Sequence, residues 1–178
     1  TLQGGNASGG SFHHHYGAGL HLLGGGETTR IVNCHFENNK ADQDGGALYV
    51  SVGAAPTLIH CTFKNNVAKN NGGAAAIYCN SVNGYHTRFY NCIFDNNFAY
   101  GEGGALYFDT NQKEYGLLSL VNCLITNNTT LKQGGAVAMD RNSNLFMLNS
   151  TLSFNKGTVQ GAVLGSFGRV PAKSRIIN

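Results

Sequence analysis

Five segments of this chain are versions of one another, and their spacing constrains the fold more than any other property. Asn33-Cys34-His35-Phe36-Glu37-Asn38-Asn39 recurs as His60-Cys61-Thr62-Phe63-Lys64-Asn65-Asn66, as Asn91-Cys92-Ile93-Phe94-Asp95-Asn96-Asn97 and as Asn122-Cys123-Leu124-Ile125-Thr126-Asn127-Asn128. Each is followed by Gly-Gly-Ala, at 45–47, 72–74, 103–105 and 134–136. A worn fifth copy, Asn149 to Asn155, leads to Gly161-Ala162. The second glycine of each pair lies 12 residues after the cysteine in all four full copies, whereas 15, 19, 19 and 15 residues separate that glycine from the next cysteine or from Ser150, which replaces it. A rigid unit with one adjustable segment describes a solenoid, in which each unit packs on its neighbours and surplus length is pushed out on one side.

The composition agrees. Gly is 25 of 178 residues and only 12% are charged, which argues against a helical bundle, while 42% hydrophobic residues argue against disorder. The net charge is +3 with the basic residues scattered, so no patch points to nucleic acid, and no apolar run is long enough for a membrane span.

Within each unit the apolar residues recur with period two, which means strand. The alternation predicts an inward face carrying Val32, Cys34 and Phe36; Ile59, Cys61 and Phe63; Tyr90, Cys92 and Phe94; and Val121, Cys123 and Ile125. A second strand after each Gly-Gly-Ala is expected to turn Leu48/Val50, Ala75/Ile77, Leu106/Phe108 and Val137/Met139 inward and Ala47/Tyr49 and Ala105/Tyr107 outward. Stacking coils in register turns repeated positions into ladders. One is the cysteine column Cys34, Cys61, Cys92 and Cys123, open to metal binding, disulfide bonding or simple packing, of which packing as small buried thiols is favoured because in-register side chains run parallel rather than toward each other. Another is the turn column Asn39, Asn66, Asn97 and Asn128, whose amides bond from coil to coil. Glu37, Lys64 and Asp95 offer cross-coil ion pairs.

Leu2-Gln3 aligns with Phe36-Glu37, and Arg175-Ile176-Ile177-Asn178 with Arg30-Ile31-Val32-Asn33. Residues 1–178 therefore read as one all-β segment of about six coils cut from a longer chain, clear at 30–165 and weaker at 1–29 and 166–178.

The motifs FENN…GGAL, FKNN…GGAA and FDNN…GGAL resemble the FxxN and GGA(I/L/V) repeats of the polymorphic outer membrane proteins of chlamydiae and of related bacterial surface proteins. These belong to the wider right-handed parallel β-helix (pectate-lyase-like) superfamily. The resemblance implies a secreted or cell-surface, outer-membrane-associated passenger, often adhesive. Its partners would be a protein or glycan ligand, other domains of the same chain, or a secretion or anchor component.

Carbohydrate enzymes also occupy this fold, so the acids matter. Hydrolysis needs two carboxylates facing one another across the substrate. The polar column before the glycines holds Asp44, Asn71, Glu102, Gln133 and Gln160, which makes Asp44 and Glu102 the candidate catalytic pair, with Asp109 and Asp140 beside Arg141 as a second choice. The competing reading of that column is a set of corner residues satisfying backbone. Neither cofactor nor metal is called for: His13-His14-His15 is an extended run whose side chains would diverge.

The two expanded segments, residues 78–88 and 109–118, are the other candidate, as a binding face. They supply Tyr85, His86, Arg88, Asp109, Lys113, Glu114 and Tyr115, and the isolated Cys79 lies in the first of them. Three functions are thus open: a non-catalytic adhesin, passenger or stalk; a polysaccharide lyase or glycoside hydrolase; and a structural or cargo component of a surface assembly.

Overall fold

The computed structural model of the chain describes residues 1–8, 15–51, 53–78, 86–110, 116–140, 143–159, 161, 164–167 and 174–177. The described residues form a parallel β-solenoid of four sheets, each six strands deep. One complete coil runs through Arg30–Val32 in sheet I, His35–Glu37 in sheet II, Lys40–Ala41 in sheet III and Leu48–Val50 in sheet IV. Successive coils lie in the register that the repeat dictates: Phe36 pairs with Phe63, Phe63 with Phe94 and Phe94 with Ile125. The flanks join as expected, with Leu2 opposite Phe36 and Ile177 opposite Leu148.

The corners explain why these residues recur. Asn33, His60, Asn91 and Asn122 adopt φ of 52–54°, and Asn38, Asn65, Asn96 and Asn127 adopt φ of 55–57°. Asn tolerates this left-handed region better than most residues, so each unit can turn twice within six residues. The first corner corrects the expected inward face. It interrupts the alternation, so the residue before it looks out: Val32 is 45% exposed, and Ile59, Tyr90 and Val121 are half-buried. The inward residues of sheet I are instead Ile31, Leu58, Phe89, Leu120 and Met147. Ala47 and Ala105 also depart from expectation. They sit at the corner after the glycines and belong to the core, while Tyr49 and Tyr107 do face outward.

Inside, like residues stack on like. The Phe36 and Phe63 rings lie 4.6 Å apart with planes 1° from parallel, and Phe63 and Phe94 lie 4.9 Å apart at 5°. Phe89 meets Phe63 and Phe94 edge-on from sheet I, at 6.2 and 5.3 Å, which ties two walls of the tube together. Burial of each such ring is worth about 1.5–3 kcal/mol.

The asparagine ladder closes the corner between sheets II and III. Asn66 Oδ1 accepts from the backbone N–H and the side-chain amide of Asn39, both at 3.0 Å. Its own Nδ2 donates to the Phe36 carbonyl at 2.9 Å and to Asn97 Oδ1 at 2.9 Å. Asn97 and Asn128 repeat the pattern one coil further on each time. Buried backbone groups at a turn must find partners, and here the next coil's side chain supplies them.

The glycine pair answers two different demands. Gly45, Gly72, Gly103 and Gly134 have φ of 68–71°, a conformation that disfavours a side chain. The second glycine has ordinary φ but no room: a Cβ at Gly73 would stand 2.2 Å from the carbonyl oxygen of Gly104.

Candidate binding face

The column proposed as catalytic is a corner relay. Asp44 Oδ1 accepts the Asn71 backbone N–H at 2.9 Å, and Asn71 Oδ1 accepts the Glu102 N–H at 2.9 Å. Asp44 and Glu102 are thereby stacked in line with the coil of Asn71 between them. Asp44 is only 6% exposed. Its second oxygen accepts the Tyr78 hydroxyl at 3.1 Å. Burial raises the Asp44 pKa above the usual carboxylate range, opposed by the bonds from Asn71 and Tyr78. Burial also raises that of the half-buried Glu102, opposed by Gln133 and the Lys132 ammonium. The second pair is arranged differently: Asp109 and Asp140 are direct register partners on neighbouring strands of sheet IV. Asp109 is 3% exposed and Asp140 half-buried. Arg141 lies outside the described residues.

The expanded segments are shorter as loops than the spacing suggested, because the strands run into them. Sheet IV continues to Tyr78 and Asp109, and sheet I begins again at His86 and Gly116. His86 and Arg88 therefore stand on the outer face of sheet I rather than in a loop. The His86 N–H donates to Glu27 Oε1 at 2.8 Å, and the Arg88 guanidinium lies 3.4 Å from the same oxygen while donating to the His86 carbonyl at 3.0 Å. Asp109 belongs to the outer face of sheet IV. The described members of the proposed loop set are thus divided between two sheets, while Tyr85, Lys113, Glu114, Tyr115 and Cys79 lie outside the described residues.

The outer face of sheet IV carries a feature that the repeat alone does not require. Tyr16, Tyr49, Tyr78 and Tyr107 form a continuous run of rings with centroids 4.5, 5.4 and 5.6 Å apart. His21 meets Tyr49 edge-on at 4.9 Å. The outward column of the sheet reads His21, Tyr49, Ala76, Tyr107 and Ala138. The alternation of large and small residues lets the rings settle over the alanines, with Ala76, Tyr107 and Ala138 packed against Tyr49 and Tyr78. Burial pushes the Tyr49, Tyr78 and Tyr107 hydroxyls well above the usual tyrosine range, and nearby carboxylates add to the effect. Around Tyr107 these are Asp109, Asp140, Glu102 and Asp44. Tyr49 and Tyr107 at equal offsets from Gly-Gly-Ala were readable as an outward pair. Tyr16 and Tyr78 were not, since they occupy different offsets and meet that pair only through stacking.

The cysteine column lines the inside of the corner between sheets I and II. Cys61, Cys92 and Cys123 are buried, Cys34 is half-buried, and all four are free thiols. Each donates to the carbonyl two residues back at 3.3–3.5 Å. Cys92 is pushed up to about 12, chiefly by its contact with Cys123. Among the described residues no group of three or more His, Cys, Asp or Glu is placed to hold a metal ion, and no helix is long and apolar enough to cross a membrane.

No curated protein and no solved structure matches this chain. A family model does, that of the right-handed β-helix region, over residues 3–159. Handedness, parallel pairing and the stacked six-strand sheets all follow from that match and the coil geometry together, and the chain belongs to the right-handed β-helix family.

Proposed function

We propose that the chain is a non-catalytic β-helix module, secreted or displayed at a bacterial cell surface, serving as an adhesin, passenger or stalk. The observation that carries this reading is the engagement of Asp44. Both of its oxygens are committed, one to backbone at a corner and one to Tyr78, and the side chain is almost fully buried. A general acid or nucleophile needs an oxygen free to meet substrate. The likeness of the FxxN and GGA repeats to those of bacterial surface proteins supports the location, and a protein or glycan ligand fits a module of this kind.

The test pairs two measurements on the purified protein. Incubation with a panel of polysaccharides should release neither reducing ends nor unsaturated products, while beads coated with the protein should adhere to cells or to immobilised glycans. Cleavage that disappears in Asp44→Ala or Glu102→Ala would overturn the reading.

A glycan-active enzyme is favoured by one observation only, the register pairing of Asp109 with Asp140. Neighbouring strands lie about 4.8 Å apart, near the separation of a retaining carboxylate pair. Asp140→Asn, with Asp109→Asn beside it, is the variant set that tests it by loss of cleavage.

A further inference from the structure

The outer side of sheet III gathers residues that the sequence scatters. Its strands are two residues long and lie between two corners, so the sheet forms a narrow ridge along the tube. One outward column reads Lys40, Val67, Phe98, Thr129 and Lys156. Two residues on, a second reads Asp42, Lys69, Tyr100 and Leu131, the last three donating their N–H groups to Ala41, Ala68 and Ala99 of the preceding coils. Those alanines point inward and are fully buried, so both columns look out, and Phe98 meets Tyr100 edge-on at 4.9 Å. The Val159 N–H donates to the Lys132 carbonyl at 3.1 Å, which sets Val159 beside Leu131. Phe154 stands at the corner that leads onto the ridge. Exposed apolar residues are ordinary one at a time, but Tyr100, Leu131, Phe154 and Val159, each 48–79% exposed, cluster on successive coils.

The ridge is basic. Lys40, Lys69, Lys132 and Lys156 are all exposed, and the one carboxylate in the two columns, Asp42, lies 2.7 Å from Lys69. Glu102 lies past the ridge at the next corner, near Lys132. The mixed column Glu37, Lys64 and Asp95 lies down the opposite flank on sheet II, where Lys64 and Asp95 are 4.0 Å apart. Apolar tips set among lysines match a surface that carries anions above hydrocarbon, which is a phospholipid bilayer. Side chains on a ridge splay apart and enclose nothing, whereas a fluid bilayer moulds to a ridge and has no register to match. Leu131, Val159 and Phe154 also carry no group that could bond a sugar hydroxyl.

We propose that the outer side of sheet III docks onto the surface of an anionic phospholipid bilayer, with Tyr100, Leu131, Phe154 and Val159 entering the headgroup boundary and the lysines around them facing lipid phosphates. The tube then lies along the membrane rather than through it. This docking goes beyond the reading of the protein as a surface module and does not depend on it.

Vesicle flotation of the whole protein tests it, with vesicles of phosphatidylcholine alone and of equal parts phosphatidylcholine and phosphatidylglycerol. The protein floats with the mixed vesicles, less so as salt rises, and binds the phosphatidylcholine vesicles at least about tenfold less well. Leu131→Gln weakens binding by about tenfold; Lys132→Glu combined with Lys156→Glu weakens it by about tenfold or more and flattens the salt dependence. Phe154→Asn weakens it severalfold although the same change relieves strain in the fold, which separates docking from folding. The chain has no tryptophan, so Tyr100→Trp supplies a single reporter whose emission shifts to the blue on the mixed vesicles.

Absence of binding to the mixed vesicles overturns the proposal. Equal binding to phosphatidylcholine vesicles removes the lysines from it, and unshifted Tyr100→Trp emission on bound protein removes insertion; either result overturns it. Binding that survives Leu131→Gln, Phe154→Asn and the lysine pair overturns the assignment to sheet III. Soluble polyglutamate has the charge without the hydrocarbon, and affinity for it equal to that for the mixed vesicles gives the face to an acidic protein and overturns the proposal. Loss of vesicle binding in Leu131→Gln with adhesion to glycans unchanged supports the docking face and leaves the surface-module reading standing.

Discussion

Tyr78 and Asp44 are joined across a coil boundary: the tyrosine hydroxyl donates to Asp44 Oδ2 at 3.1 Å, while Asp44 Oδ1 accepts the Asn71 N–H at 2.9 Å. One carboxylate thus fixes both a corner of the tube and a ring on its outer face. Asp44→Ala leaves two donors without an acceptor and should destabilise the protein by about 2 kcal/mol, read from the urea midpoint. Asp44→Asn keeps an acceptor oxygen and should lose less.

The same residue makes a pH prediction. The folded-state pKa of Asp44 is raised by burial, so the folded protein binds its proton more tightly than the unfolded chain does. Its contribution to stability is fully present below the unfolded value and is lost as pH rises from about 4 through the raised folded value. Glu102 acts in the same direction. Asp42 acts oppositely, because the Lys69 ammonium 2.7 Å from its Oδ1 lowers its pKa, and it loses stability as the solution is acidified. The difference between wild type and Asp44→Asn in urea melts isolates the contribution of Asp44. It should shift against the wild type as pH rises above about 4, and a difference that is flat with pH would refute the assignment.

The Asn97 side chain makes four hydrogen bonds in the ladder. Its Oδ1 accepts from the Asn66 N–H and amide, and its Nδ2 donates to the Phe63 carbonyl and to Asn128 Oδ1. Asn97→Ala strands these groups in a dry corner and should destabilise by about 3 kcal/mol or more. Asn97→Asp should be no better, since an acceptor would then face the Phe63 carbonyl. Chemical denaturation of both variants measures this.

Phe154 occupies the corner position that Asn38, Asn65, Asn96 and Asn127 hold in the other coils, with φ of 55° and 79% of its surface exposed. A bulky residue in that conformation is strained, and here no burial offsets the strain. Phe154→Asn should stabilise the protein by about 1 kcal/mol, seen as a raised Tm.

The second glycine of each pair predicts the opposite. Gly73→Ala forces a methyl to within 2.2 Å of the Gly104 carbonyl oxygen, so the coils must part and little folded protein should be recovered. Gly4→Ala, where φ is 69° but nothing lies within 4 Å of the added carbon, should cost only about 1 kcal/mol. Soluble yield and circular dichroism distinguish the two.

In a Cys79→Ser background, the half-buried Cys34 should react first with a thiol reagent, and Cys61, Cys92 and Cys123 only on unfolding. Raising the pH to 9 should not release Cys92, whose pKa is pushed up to about 12. Timed labelling followed by peptide mapping reads each site.

Sequence alone determined the coil. Stacking turns a repeat into a column, so the spacing of Cys, Phe, Asn and Gly-Gly specified the register of Phe36 on Phe63 on Phe94, the amide ladder and the family. Tertiary structure decided the faces. Whether Asn33 continues a strand or takes φ of 53° depends on where the closed tube must bend, and that choice sent Val32 outward and Ile31 inward. It also decided the tyrosine run on the outer face of sheet IV. Tyr78 and Asp44 are 34 residues apart and share no repeat position, so only the stacking of one coil on the next, with Ala76 small enough to lie beneath the ring, brings hydroxyl to carboxylate.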